Sequence, residues 1–249
     1  MQNEVFQDSV RKHDPNILCL AAKERSGYYI VKRIFDFSIA LVLLVLLSPL
    51  MMLVAILIFV YSPGPIFFIQ ERVGAKREFK NKEVYWKKVV FRCVKFRTMK
   101  LNADSSIHQA YFKALIENDE NQMAALQSQP TQVRKLVQDP RIIRPGFLLR
   151  KLSLDELPQF WNVLLGDMSL VGPRPAIPYE VEMYKPWHLR RLEAQPGITG
   201  LQQVTARSTA DFDEQVKLDI EYVEKQSFLF DLMIILKTPL VVFSTKGAY

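Results

Sequence analysis

A long apolar segment near the start of the chain dominates the hydrophobic pattern. Residues 37–61 read FSIALVLLVLLSPLMMLVAILIFVY, about 25 residues without a charge. A helix needs roughly 20 such residues to cross a bilayer. The segment lies too far from the first residue, and is too long, for a cleavable signal peptide, and no small-residue cleavage pattern follows it. We therefore predict a membrane helix that stays in the mature protein.

The middle of this segment carries Ser48 and Pro49. Proline removes a backbone N–H donor and clashes with the preceding turn, so it kinks or breaks a helix. At about 1.5 Å per residue each half covers roughly 16 to 18 Å, about half of a hydrocarbon core. Basic residues flank both ends, so the positive-inside rule favours neither orientation. A kinked spanning helix and a helix that turns back within one leaflet both remain open.

The pattern after the membrane segment predicts short strands and then helices. A Ser-Pro-Gly-Pro turn at residues 62–65 ends the apolar helix, and β-branched and aromatic residues at 66–70 and 89–96 favour a small hairpin or sheet. Residues 101–138 are polar and predict surface helix with loop, without chemistry. Further helices are predicted at residues 158–165, 178–193 and 211–226.

A second apolar stretch, FLFDLMIILKTPLVVF, occupies residues 228–243. It carries Asp231 and Lys237 and is interrupted by Pro239, so it favours an interfacial or docked helix over a second span. The whole pattern divides the chain into three parts. These are a polar extension at residues 1–30, a membrane helix at 31–61 and a mainly helical body at 62–249.

The location of the basic residues and the spacing of the cysteines limit the class of function. The formal net charge of +7 and the pI near 9.3 suit nucleic acid or an anionic membrane surface. The basic residues gather around the apolar segment, and no nucleic-acid-binding module occurs, so we expect no nucleic acid partner. Cys19 and Cys93 have neither a disulfide framework nor zinc-ligand spacing. Since no P-loop or GxGxxG occurs, phosphates must be bound in another way.

Adjacent carboxylates at Asp155 and Glu156 precede a helix that Pro158 is predicted to open. The positive end of a helix attracts phosphate, so phosphate and a metal ion could share this place. Residues 153–156, Ser-Leu-Asp-Glu, also fit a capping box. A helix capped at Ser153 would put Pro158 at its fifth position, where the missing N–H begins to cost a hydrogen bond. Both interpretations remain open.

Several basic residues are candidates for phosphate binding. Residues 172–175 read Gly-Pro-Arg-Pro, and the two prolines restrict the directions that Arg174 can take. A guanidinium matches two phosphate oxygens, so Arg174 suits a diphosphate, with a plain turn as the alternative. The other candidates, each of which alone is typical of a solvated surface charge, are Lys95, Arg97, Arg141 and Arg150.

Taken in order, these motifs resemble those of the bacterial sugar transferase family, the monotopic polyprenol-phosphate phosphoglycosyl transferases. The resemblance covers about residues 30 to 238. The matching stretches are KRIFD with the downstream Ser48-Pro49, SPGPIFFIQERVG, KFRTM, DPRI, LRKLSLDELPQFWNVLLGDMSLVGPRP, PGITGLQQV and LDIEYVEKQSFLFDLMIILKT. The family often has Ser where Thr98 stands and Gly where Ala206 stands.

The resemblance implies a mainly α fold with a small β element. It also implies a monotopic membrane protein, in which a re-entrant helix-break-helix enters one leaflet and amphipathic helices lie at the interface. The active site would face the cytoplasm at the bacterial inner membrane. The expected partners are a UDP-sugar, polyprenyl phosphate and membrane lipid, with a homodimer left open.

The chemistry implied by the resemblance has two steps. Asp155 attacks the phosphate next to the sugar and releases UMP, and polyprenyl phosphate then takes the phosphosugar from the aspartate. Glu156 would help to hold Mg²⁺ together with the diphosphate of the donor. Lys95 and Arg150 would bind the acceptor phosphate and Arg174 the donor diphosphate. Arg97, Arg141 and Gln203 complete the implied substrate-binding set.

Two rival functions use the same sequence features. A membrane glycosyltransferase would transfer the sugar alone and release UDP, and a non-catalytic membrane scaffold would release no nucleotide. The nucleotide product therefore separates the three functions. The sequence predicts neither the sugar of the donor nor the glycan pathway.

Overall fold

A computed structural model describes residues 17–19, 25–80, 83–101, 103–104, 106–126, 141–206 and 210–244 of the chain. Its helices are α1 (Ser26–Tyr61), α2 (Ser106–Glu117), α3 (Glu120–Ala125), α4 (Arg144–Lys151), α5 (Gln159–Leu165), α6 (Pro178–Glu182), α7 (Leu201–Thr205), α8 (Phe212–Lys225) and α9 (Phe228–Ser244). Its strands are β1 (Ile17–Cys19), β2 (Phe67–Lys80), β3 (Glu83–Phe96), β4 (Ser169–Val171) and β5 (Gly197–Thr199). Short 3-10 helices occupy Leu154–Glu156 and Pro186–Leu192. The predicted mainly α fold with a small β element is confirmed.

Helix α1 contains the predicted membrane segment. It is 36 residues long, and in the described part of the chain it alone is long and apolar enough to cross a membrane. Pro49 lies inside it, and the Ser48 hydroxyl donates to the Val45 carbonyl at 2.8 Å. The break predicted at Ser48 and Pro49 therefore does not divide the element in two. This helix indicates association with a membrane.

Both ends of α1 pack against the rest of the protein. Near its start, the Arg33 guanidinium donates to the carbonyls of Val163 and Leu164 at 2.6 and 2.7 Å. Near its end, Val54 and Ile58 are buried in a cluster with residues of β3 and α4. The large apolar side chains exposed between these two contacts are Ile34, Phe37, Leu41, Val42, Val45, Leu46, Met52 and Leu53.

Strands β2 and β3 form an antiparallel hairpin that is longer than the sequence predicted. Pairing runs from Phe67 opposite Phe96 to Lys80 opposite Glu83. The apolar pattern ended early because charged residues occur in runs along the outer half of the hairpin, at 76–78 and 87–88, although Ala75 and Trp86 are buried there. Strand β1 pairs antiparallel with β3, so the predicted polar extension supplies a third strand.

The observed helices agree with the predicted residue ranges to different degrees. The helix expected at residues 211–226 is α8, and Asp211 caps it by accepting from the Glu214 N–H at 2.7 Å. The helix expected at 178–193 is divided into α6 and a 3-10 helix. Pro186 begins the second piece. It explains the division, because proline lacks a backbone N–H and restricts the conformation of the residue before it.

The polar region at residues 101–138 contains α2 and α3, while 127–138 lie outside the described residues. One face of α2 is buried rather than solvated. Its Tyr111, Ala114 and Leu115 pack in one cluster with Phe212 of α8. The region is therefore anchored to the body of the protein.

Helix α9 docks against the start of α1. Asp231 is buried, and its Oδ2 atom accepts from the Lys32 amine at 2.8 Å. Ile234 is buried in the main core cluster, whereas Leu236 and Leu240 are exposed. This arrangement agrees with the predicted docked or interfacial helix.

Candidate active site

The two carboxylates of Asp155 and Glu156 lie in a tight 3-10 turn between α4 and α5. Ser153 before them has a positive φ of 56° and makes no side-chain cap hydrogen bond. The capping-box interpretation is therefore wrong. Residues other than glycine adopt such a φ at a cost, and strained positions of this kind cluster at functional sites. Helix α5 begins only after Pro158, so the carboxylates stand ahead of it.

Glu156 is held by two cations that come from distant parts of the sequence. Its Oε1 atom lies 2.7 Å from the Lys95 amine at the end of β3. The same oxygen is 3.7 Å from an Nη1 atom of Arg174, in the loop after β4. The structure thus brings three of the predicted site residues together.

The two adjacent carboxyl groups differ in pKa because their surroundings differ. Burial and the neighbouring charge of Glu156 raise the pKa of Asp155 to about 6, against the opposing effect of Lys95. Burial alone would raise the pKa of Glu156, but Lys95 and Arg174 outweigh it and lower that pKa to about 2. Glu156 therefore stays ionised, whereas Asp155 titrates near neutral pH.

A cleft opens beside the carboxylate pair. The residues that line it are Arg72, Lys95, Glu156, Gln159, Arg174, Pro175, Gly197, Ile198 and Gln203. Gln203 donates through Nε2 to the Ile198 carbonyl at 3.1 Å, while its buried Oε1 atom has no partner among the described residues. That oxygen can accept a hydrogen bond from a ligand in the cleft.

Arg72 is a cleft residue that the sequence analysis did not single out. Its Nη1 atom donates to the Pro175 carbonyl at 2.9 Å, and Nη2 donates to Gln70 at 2.7 Å. Its buried Nε atom has no partner within the described part of the structure. The register of the hairpin is the signal that could have indicated Arg72. In this register Arg72 and Lys95 lie on the same face of the hairpin, because an even number of positions separates them along the paired strands.

The remaining predicted arginines separate into two groups. Arg150 donates from Nε to the Thr98 hydroxyl at 2.9 Å, and its charge also acts to lower the pKa of Asp155, so it lies near the carboxylates. Arg97 is buried and donates to the Ser62 carbonyl, at the end of α1. Arg141 donates to the Asp104 carbonyl. Neither Arg97 nor Arg141 lines the cleft, so their substrate-binding roles remain predictions.

Two glycine-containing loops position the cleft residues by direct backbone contact. The Gly172 N–H donates to the Thr199 carbonyl and the Gly197 N–H donates to the Pro173 carbonyl, both at 2.9 Å. A Cβ atom on Gly172 would lie 2.1 Å from the Gln195 carbonyl oxygen. The loop bearing Arg174 can therefore approach its neighbour only with glycine at this position.

The carboxylate pair fits a Mg²⁺ ion that arrives with a phosphate-bearing substrate. Over the residues that the structure covers, no group of three or more His, Cys, Asp or Glu side chains could hold a metal ion. Mg²⁺ commonly binds one or two carboxylates and takes its other ligands from substrate phosphates and water. Asp155 and Glu156 offer hard oxygen ligands of that kind and number.

Comparison with known proteins gives consistent matches over most of the chain. The model of the family described as "Bacterial sugar transferase" matches residues 27–245. The exopolysaccharide production protein ExoY of Sinorhizobium fredii is 40% identical over 220 residues, which is 88% of each chain.

Two longer relatives match through part of their length. The undecaprenyl-phosphate galactose phosphotransferase of Salmonella typhimurium is 38% identical over 92% of this chain and 43% of its own. The UDP-glucose:undecaprenyl-phosphate glucose-1-phosphate transferase of Escherichia coli is 35% identical over 88% of this chain and 42% of its own. The present chain spans less than half the length of these two proteins.

Proposed function

Because this chain belongs to the bacterial sugar transferase family, we propose that it moves a sugar 1-phosphate from a UDP-sugar to a polyprenyl phosphate and releases UMP. The observation that carries this proposal is the carboxylate pair beside a cation-lined cleft, of which Glu156 is a lining residue. Glu156 is fixed by Lys95 at 2.7 Å, and Asp155 stands beside it with a raised pKa. The names of the phosphotransferase relatives, which include undecaprenyl phosphate, support the acceptor.

In the first step, an oxygen of ionised Asp155 attacks the phosphorus atom that bears the sugar. A bond forms between this oxygen and phosphorus, and the bond to the bridging oxygen of the diphosphate breaks. The electron pair of that bond leaves with UMP, so no net proton transfer is needed. A carboxylate with a pKa near 6 is ionised at neutral pH and is a better nucleophile than one of lower basicity.

In the second step, a phosphate oxygen of the polyprenyl phosphate attacks the same phosphorus atom. The bond from phosphorus to Asp155 breaks, which frees the carboxylate and leaves the sugar on a diphosphate-linked lipid. Covalent capture allows a soluble donor to leave before a lipid acceptor enters the same cleft. This order gives ping-pong kinetics.

The cations around the cleft suit both phosphate-bearing substrates. Arg72 and Arg174 line it with Lys95, and Arg150 lies on the side of Asp155. Such fixed positive charges stabilise the charge that develops on transferring phosphoryl groups. We assign Arg174, with Arg72 beside it, to the donor diphosphate and Arg150 to the acceptor phosphate. Lys95 is a second acceptor candidate, and its bond to Glu156 also holds the carboxylate pair in place.

Mg²⁺ is part of this proposal. Glu156, with Asp155 beside it, would hold the ion together with the donor diphosphate. When bound, the ion would neutralise phosphate charge and so lower the repulsion that the Asp155 carboxylate meets. The low pKa of Glu156 supports this role because the group is ionised throughout the neutral range.

We place the cleft at the cytoplasmic face of the inner membrane, with α1 re-entrant from that side. Two observations support this placement. Both ends of α1 contact the same body, which leaves the apolar middle of the helix to enter lipid. Exposed apolar side chains on α4 and α5 would lie at the interface with membrane lipid, and these are Phe147, Leu148, Trp161 and Leu165.

The re-entrant placement predicts a change of topology in the Pro49→Ala variant. Without the proline, the central turn regains a hydrogen bond and the helix straightens. We expect an N-terminal tag to become accessible from outside the membrane in more than half of the molecules, measured by labelling in whole cells. Pro63→Ala, in the exit turn beyond α1, is the matched control and should keep the tag inside. A tag that stays inside in Pro49→Ala would show that the proline does not set the topology.

The raised pKa of Asp155 predicts the pH dependence of the first step. Donor kcat/KM should fall about tenfold per pH unit below pH 6 and level off above it, because only the ionised carboxylate attacks. Lys95 opposes the rise in this pKa, so Lys95→Met should move the inflection to higher pH. Initial UMP release between pH 5 and 8 measures both curves. A flat wild-type profile between pH 5 and 7 would contradict a pKa near 6 for the attacking carboxylate.

The nucleotide product tests the function against its rivals. Detergent-solubilised protein is incubated with Mg²⁺, undecaprenyl phosphate and a panel of UDP-sugars, and nucleotides are separated by chromatography. We expect UMP with at least one sugar and a lipid-linked diphosphosugar in equal amount. UDP in place of UMP would establish sugar transfer without phosphate, and no nucleotide with any donor would favour the scaffold function.

A further inference from the structure

A histidine and a tyrosine from two different helices meet next to the segment that follows Arg174. The Nδ1 atom of His108, in the first turn of α2, lies 2.6 Å from the hydroxyl of Tyr179 in α6. Tyr179 follows Arg174 in the chain by five positions. The segment between them is fixed, because Arg72 donates to the Pro175 carbonyl and Ala176 pairs with Val73 of β2.

The pair is held rigidly by packing on both sides. The His108 ring stacks on Phe112 at an interplanar angle of 8° and meets the Tyr179 ring edge-on at 76°. Phe112 in turn contacts Phe212 of α8. On the other side, the Glu180 carboxylate accepts from the Ile177 N–H at 2.8 Å and fixes the first turn of α6. Side chains with locked rotamers of this kind suit a ligand contact that must discriminate between similar molecules.

The surroundings of His108 are strongly positive. The pKa of His108 is lowered to about 4, mainly by burial and then by the charges of Arg72, Arg141, Arg150 and Arg174. The imidazole is therefore neutral at physiological pH. Two of these arginines, Arg72 and Arg174, line the cleft, and so does Pro175, which lies four residues before Tyr179. His108 and Tyr179 are not lining residues themselves, so they suit the part of a bound donor that extends beyond the diphosphate.

A neutral histidine and a tyrosine add no positive charge to the arginines that bind phosphate. They offer uncharged hydrogen-bond donors and acceptors, which match the hydroxyl groups of a sugar ring. We propose that His108 and Tyr179 contact the hexose of the donor and help to select it. This inference rests on the proposed phosphosugar transfer, and it gives a role to a helix for which the sequence predicted no chemistry.

The experiment compares the UDP-sugar that the panel identifies with its C4 epimer, so that the two donors share a nucleotide and differ only in the orientation of one hydroxyl, as UDP-glucose and UDP-galactose do. UMP release is measured for wild type, His108→Ala and Tyr179→Phe at saturating undecaprenyl phosphate. Tyr179→Phe keeps the ring packing and removes only the hydroxyl, so it tests the contact even where His108→Ala folds poorly. Lys113→Ala, at an exposed position of the same helix, is the matched control and should match wild type with both donors.

We expect the ratio of kcat/KM for the two donors to change at least tenfold in Tyr179→Phe and His108→Ala, because a lost hydroxyl contact penalises one donor more. Product inhibition by UMP, which lacks the sugar, should stay within twofold of wild type. An unchanged ratio would overturn the inference, whether activity falls equally with both donors or stays at the wild-type level. Wild-type release of UDP, or of no nucleotide with any sugar of the UDP-sugar panel, would instead refute the proposed function on which the inference rests.

Discussion

The Asp155→Asn variant is expected to lose phosphosugar transfer almost completely, with kcat lower by about 10⁴-fold or more. An amide cannot form the acyl phosphate, and the remaining cations of the cleft still bind substrate. The KM for the UDP-sugar should therefore change far less than kcat. UMP release measured at high enzyme concentration gives both parameters. Retention of a tenth or more of wild-type activity would exclude Asp155 as the nucleophile.

The same variant should be at least as stable as the wild type, which separates a chemical defect from misfolding. The pKa of Asp155 is raised in the folded protein, from an ordinary value near 3.8 to about 6. Ionisation of this group therefore destabilises the native state above pH 6, and the effect disappears below pH 4, where both states are protonated. The Asp155→Asn substitution removes a cost on the order of 1 to 2 kcal/mol at pH 7.5, after allowance for partial exposure.

Thermal unfolding in detergent at pH 7.5 and at pH 4 measures this effect, and the midpoint should rise only at the higher pH. Glu221→Gln is the matched control, because Glu221 forms an exposed pair with Lys225 at 2.7 Å on α8. Its activity should equal that of the wild type, and its midpoint should move by less than about 2 °C. A lower midpoint for Asp155→Asn at pH 7.5 would indicate a structural role instead.

The Gly172→Ala variant is expected to lose both stability and activity. The added Cβ atom would lie 2.1 Å from the Gln195 carbonyl oxygen and 2.8 Å from the Gly197 nitrogen. These are backbone atoms, so the β4 and β5 loops must separate and Arg174 must move away from Glu156. We expect a loss of about 3 kcal/mol in stability, or roughly 6 to 12 °C in the unfolding midpoint. We expect at least a hundredfold loss of kcat/KM.

Gly27→Ala is the control for this substitution. A Cβ atom on Gly27, in the first turn of α1, meets no atom within 4 Å. Its midpoint should stay the same or rise slightly, since alanine favours a helix. Thermal unfolding and UMP release are measured for both variants in the same detergent. Normal activity in Gly172→Ala would show that the contact between the two loops does not position the cleft.

Local sequence signals indicated most residues of the proposed site but not all of them. The adjacent carboxylates and the proline-flanked Arg174 are short motifs, and Lys95 lies in a short match to the family. Arg72 was missed because its role depends on the register of a long hairpin, whose charged outer half hid the strand pattern. From the sequence, residues 153–156 fitted either a capping box or a place for phosphate and a metal ion. Only the backbone conformation of Ser153 excludes the capping box.

Tertiary contacts explain the other differences between the predicted and observed elements. The polar region at 101–138 was expected to be surface helix, yet Tyr111 and Leu115 are buried against α8. The meeting of His108 with Tyr179 joins positions 71 residues apart, which no local pattern reveals. Periodicity predicts which residues form a helix but not which helix covers its apolar face.

A single-turnover reaction without acceptor tests the covalent mechanism most directly. Excess enzyme with Mg²⁺ is mixed with the UDP-sugar that the panel identifies, and the quenched protein is analysed by intact mass and peptide mapping. We expect rapid release of UMP, in an amount equal to the protein adduct that forms, and a mass increase of one sugar phosphate on Asp155. The adduct should disappear when undecaprenyl phosphate is added. No adduct together with turnover only when both substrates are present would contradict the covalent mechanism.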